Sequence, residues 1–122
     1  MERAEFESIV SEVMESLPPR FASAIENVDV FVEDWPTPEQ RARLHLHRGE
    51  TLFGLYEGIP ITQRSAGYHL AMPDRITIFR GPIEQQSEDP EETRATIQHT
   101  VIHEVAHFFG ISDERLVELG AY

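Results

Sequence analysis

Phe6, Ile9, Val10, Val13 and Leu17 recur at helical spacing, so residues 2–17 are expected to form an amphipathic helix that Pro18-Pro19 ends. A short helical stretch is expected near Phe21 to Glu26. From Val28 to Glu33, apolar and acidic residues alternate with the period of a half-buried strand. Trp35-Pro36-Thr37-Pro38 then breaks the pattern, and residues 39–50 show no clear face, so a surface excursion is expected there. Thr51 to Glu57 reads as a second strand closed by Gly58 and Pro60. Arg75 to Arg80 reads as a third, between Pro73-Asp74 and Gly81-Pro82.

The last third carries the plainest signals. Asp89 is placed to cap a helix, Pro90 suits its first turn, and Glu92 is placed to complete a capping box. The helix is expected to run to Phe109, with Gly110 stopping it because glycine tolerates the left-handed conformation that follows a helix end. Ser112 or Asp113 then opens a short final helix, with Leu116 and Leu119 expected to face inward. These elements make an α+β chain: an N-terminal helix, a small sheet of about three strands, a long helix and a short C-terminal helix. Its 122 residues show no internal repeat and no linker, and residues 1–122 are expected to form one domain.

Charge narrows the set of partners. The 22 acidic residues outnumber the 10 basic ones, all of them arginine, for a net charge of -12. Such a surface repels phosphate backbones and anionic headgroups, so neither nucleic acid nor membrane is an expected partner. No apolar run approaches the roughly 20 residues of a membrane helix. The first residues lack the basic and apolar regions of a secretory signal, so a cytoplasmic location is expected. With no cysteine, a disulfide scaffold is excluded, and any zinc has to be held by histidine and carboxylate.

The chemistry lies in the second half of the long helix, which reads His103-Glu104-Val105-Ala106-His107. Histidines at i and i+4 on a helix share one face, about 6 Å apart along the axis, so both imidazoles can reach one zinc ion. Glu104 projects beside them, placed to take a proton from water rather than to hold the metal. The flanking Val101, Ile102, Val105, Ala106, Phe108 and Phe109 leave little polar surface here. A carboxylate buried among them is costly unless a cation compensates it.

Gly110 and Asp113 extend the pattern to H-E-x-x-H-x-x-G-x-x-D, the elongated metzincin signature with Asp in place of the third His. In that layout the glycine turns the chain sharply and Asp113 supplies the third ligand. Asp near a helix start is also common as a cap, so two rivals stay open, Glu118 and, less favourably placed, Glu114. His99 prolongs the stripe one turn upstream, but it lies about 12 Å along the axis from His107 and reads as a polar neighbour. His45, His47 and His69 read as surface or satisfied residues, and Tyr56, Tyr68 and Tyr122 as packing residues.

Three segments carry a resemblance: LFGLYEGIPIT at 52–62, PDRITIFRGPIE at 73–84 and HTVIHEVAHFFGISDERLVELG at 99–120. Through them the chain resembles the small bacterial zincin-like metallopeptidases, which are minimal metzincin-like proteins. The resemblance covers most of residues 51–122, whereas residues 1–50 match in layout only. It implies a minimal zincin-like fold, with helices packed on a small sheet and the active-site helix beneath. It further implies His103, His107 and Asp113 as metal ligands, Glu104 as the base, and an edge strand, Thr51–Glu57 or Arg75–Arg80, that pairs with extended peptide.

The activity expected is zinc-dependent hydrolysis of peptide bonds in short peptides or unfolded proteins. The chain departs from larger metzincins in two respects. Met1, Met14 and Met72 all precede the motif, so no Met-turn is expected, and only nine residues follow Asp113, so the lower lobe of the substrate cleft is expected to be missing. Two alternatives follow: a zinc-stabilised binding or scaffold domain without turnover, and a hydrolase whose cleft a partner protein completes.

Overall fold

The computed structural model describes residues 1–25, 27–43, 52–58 and 74–118. The elements run α1 (Arg3–Glu15), α2 (Pro19–Ala24), β1 (Asp29–Glu33), α3 (Pro38–Arg43), β2 (Gly54–Glu57), β3 (Arg75–Phe79), α4 (Arg80–Gln86), α5 (Pro90–Phe108) and α6 (Asp113–Glu118). The class is α+β, with helices laid on a small mixed sheet.

Helix α1 buries Phe6, Ile9, Val10 and Val13, the stripe its spacing dictates. Pro18 and Pro19 end it and begin α2, with Pro19 in the first turn where its missing N–H costs nothing. The expected surface excursion is in part a helix. In α3 the Thr37 hydroxyl accepts from the Gln40 backbone N–H (3.1 Å), and the Gln40 side chain accepts from the Thr37 N–H (2.8 Å). This is a capping box written as Thr37-Pro38-Glu39-Gln40, a start signal that outweighs the missing apolar face. Residues 44–51 lie outside the described residues.

The sheet order is β1-β3-β2. Strand β3 pairs in parallel with β1, from Asp29 opposite Arg75 to Glu33 opposite Phe79. It pairs antiparallel with β2, Gly54 opposite Ile78 and Glu57 opposite Arg75. A strand flanked on both sides has no solvent edge, and Ile76, Thr77, Ile78 and Phe79 are all fully buried. Arg80 does not extend this strand, because the chain turns straight into α4, which buries Pro82 and Ile83. The central place of β3 also removes Arg75–Arg80 as an edge template for peptide, and among the described residues β2 lies at one edge of the sheet.

Helix α5 packs against α1, α4, β2 and β3, and Ile97, Val101, Val105 and Phe108 join Phe6, Ile76, Ile78 and Ile83 in the core. Each such side chain fully removed from water contributes about 1.5–3 kcal/mol, before the entropy of ordering the chain is set against it. Ile102, one of the apolar residues flanking the motif, lies 47% exposed.

Candidate metal centre

Both ends of α5 are built by local chemistry. At its start, the Asp89 carboxylate accepts from the Glu92 N–H at 2.8 Å. The Glu92 side chain reaches back to the Glu88 N–H (3.2 Å), one residue before the expected partner. At its end Gly110 takes φ 82°, its N–H donates to the His107 carbonyl (2.9 Å), and the Ile111 N–H donates to the Ala106 carbonyl (3.0 Å). This pair of bonds is the Schellman motif, and it reverses the chain just after His107. Ser112 then caps α6, its hydroxyl accepting from the Arg115 N–H at 3.1 Å.

Within α5, the imidazoles of His103 and His107 stand with ring centroids 4.8 Å apart. The Glu104 carboxylate joins them, and one possible ligand atom from each of the three residues lies within 4.8 Å of the others. The histidines are half-buried and Glu104 is 7% exposed. Strand β2 closes over this group. A β-carbon on Gly54 would stand 2.6 Å from Thr100 Cγ2 and 3.1 Å from Glu104 Cγ, so the strand backbone lies directly against the helix at the glutamate. One turn further on, the Tyr56 ring meets Phe108 edge-on at 6.1 Å, and its hydroxyl donates to Asp74 Oδ2 at 2.8 Å. Tyr56 is thus a packing residue.

This arrangement suits a divalent transition metal. Two imidazoles at i and i+4 offer the nitrogen donors that zinc prefers, with a carboxylate alongside. His107 lies in the last turn of α5, where the negative end of the helix dipole favours a cation.

The remaining candidates separate clearly. Asp113 opens α6 directly after the Schellman turn, but its side chain lies outside the described residues. Glu118 is exposed and holds Arg115 at 2.8 Å, and Glu114 is exposed as well. His99 is exposed, with its ring 6.3 Å from that of His103. His45, His47, His69, Tyr68, Tyr122 and Leu119, together with the side chain of Leu116, lie outside the described residues. Gly54 is the residue that pattern reading overlooked, although a lone glycine inside a strand signals a close backbone approach.

The model of the zincin-like metallopeptidase family matches residues 25–121, from just before β1 to beyond α6. The chain belongs to the zincin-like metallopeptidase family. No curated protein matches it. Among solved structures, it is similar to a conserved hypothetical protein from Thermo thermophilus at 23% identity. That match has a TM-score of 0.62 and covers 89% of this chain and 94% of the other, so the two share a fold. Zincin-like membership accords with the grouping on α5, since the family implies zinc and the cluster of His103, Glu104 and His107 could hold a metal. Among the described residues no helix is long and apolar enough to cross a membrane.

Proposed function

We propose that this zincin-like protein is a zinc-dependent peptidase acting on short or unfolded peptides. His103 and His107 would hold the ion, with Asp113 as third protein ligand and Glu104 as general base. The observation that carries this reading is the buried Glu104 carboxylate grouped with two half-buried imidazoles on one helix. A purely structural zinc site has no use for a carboxylate that does not complete its ligand set.

Bound zinc supplies Lewis acidity towards a water and a scissile carbonyl. Glu104 accepts the proton of the attacking water and delivers it to the leaving amine, which departs neutral. The packing of Gly54 against Glu104 and Thr100 limits the rotamers open to the carboxylate and holds it beside the two histidines. It also sets β2 beside the reacting groups, where the backbone of an extended peptide can be aligned.

Metal analysis and a cleavage assay test the proposal together. Purified protein is expected to carry about one zinc per chain, and a diverse library of unstructured peptides to be cut. His103→Ala is expected to lose the metal. A stable wild type without zinc would sink the proposal, and zinc without cleavage of any peptide would leave a zinc-stabilised binding domain as the better description.

A further inference from the structure

We infer that α5 carries a second, outer position for a divalent transition metal, formed by His99 and His103 one helical turn before the inner pair. This outer position rests on the proposed function only in that His103 serves both positions.

The relation that qualifies His103 and His107 as a chelating pair holds for His99 and His103 as well. Both pairs are i, i+4 on one continuous helix, with the same axial offset of about 6 Å. The outer rings stand 6.3 Å apart with a 41° tilt, and the inner rings 4.8 Å apart. The difference lies within reach of side-chain rotation, because His99 is exposed. Among the described residues its ring contacts that of His103, and it makes no hydrogen bond or ion pair. Exposed side chains of this kind change rotamer on the picosecond to nanosecond scale.

Three histidines in a row do not add up to a three-histidine site. His99 and His107 are about 12 Å apart along the axis, too far to ligate one ion. His103 is therefore shared, and the two positions exclude one another. The inner one has the buried carboxylate of Glu104 beside it and β2 lying over it. The outer one opens to solvent on the exposed side of the helix, next to Ile102, so water fills its remaining coordination places. Two imidazoles with water suit zinc, nickel and copper, whereas magnesium and calcium prefer oxygen donors. With fewer protein ligands, the outer position is the weaker of the two.

Calorimetric titration with zinc, repeated with nickel, tests this on the full chain in four forms: wild type, His99→Ala, His107→Gln and the His99→Ala/His107→Gln double variant. Wild type and His99→Ala should bind one ion with equal affinity. His107→Gln should keep one weaker binding event, and the double variant should lose it. Circular dichroism checks that each variant keeps its helices, and His107→Ala serves in place of His107→Gln if the latter fails to fold. Should the single His107 variant bind no more metal than the double, the outer position does not exist. Should wild type itself bind none, the outer position fails together with the proposed function, since His99 and His103 are both intact there; wild-type binding with no difference between the single and the double variant overturns the outer position alone.

Discussion

Gly54 of β2 lies so close to Glu104 of α5 that a β-carbon on the glycine would stand 3.1 Å from the glutamate Cγ and 2.6 Å from Thr100 Cγ2. Thr100 is buried and bonded to the Thr96 carbonyl at 2.7 Å, so it has little room to give way. Gly54→Ala should therefore lift the strand from the helix at the proposed base. Overpacking of this kind costs about 1–3 kcal/mol. Thermal unfolding should show the loss, and peptide cleavage should fall by more than stability explains. An alanine variant as stable and active as wild type would show that the contact does not position Glu104.

Glu104→Gln removes the basic oxygen and keeps the side chain's volume. Zinc content and melting temperature should stay near wild type, while cleavage should fall by about 10²–10⁴-fold, the range attributed to a positioned acid-base group. If zinc is lost along with cleavage, Glu104 is a ligand, and if cleavage persists with zinc in place, Glu104 is not the base.

Asp113 and Glu118 make opposite predictions as third ligand. Glu118 is exposed and engaged with Arg115 at 2.8 Å, an exposed pair worth under about 1 kcal/mol, so Glu118→Ala should leave zinc affinity unchanged. Asp113→Ala should weaken zinc binding sharply. Competition with a calibrated chelator measures both, and the reverse order of effects would move the third ligand to α6's far end.

Gly110 at φ 82° occupies a conformation that costs another residue about 1–2 kcal/mol. Gly110→Ala should lower the melting temperature accordingly. It should also weaken zinc binding if the turn it makes is what delivers Asp113. Equal zinc affinity in the alanine variant would separate the turn from the metal.

Metal removal offers an independent check. If zinc binds the folded state alone, free zinc at about 100 times its dissociation constant stabilises the protein by about 2.7 kcal/mol. A chelator should lower the unfolding midpoint of wild type by the corresponding amount and leave that of His103→Ala where it was.

The amino-acid order by itself determined what depends on neighbours a few residues apart. The Phe6 to Val13 stripe, the Asp89-Pro90 start and the Gly110 stop follow from side-chain spacing and from backbone groups that must find partners locally. The same holds for the grouping of His103, Glu104 and His107, because a helix alone sets the distance between i and i+4. The Thr37–Gln40 capping box was equally local, and it was overlooked because residues 39–50 show no apolar stripe.

What only the tertiary structure decided is which elements meet. Nothing in Arg75 to Phe79 says that β1 and β2 will flank it and so deny it an edge, since strand order depends on pairings between segments far apart in the chain. Ile102 is as apolar as Val101 and yet lies exposed, because helical periodicity defines a buried face only once the sheet has taken one side. Gly54 is the plainest case. Its missing side chain acquires a purpose only when folding brings β2 down onto Thr100 and Glu104, about 50 residues away in the chain, at a distance that leaves no room for a single carbon atom.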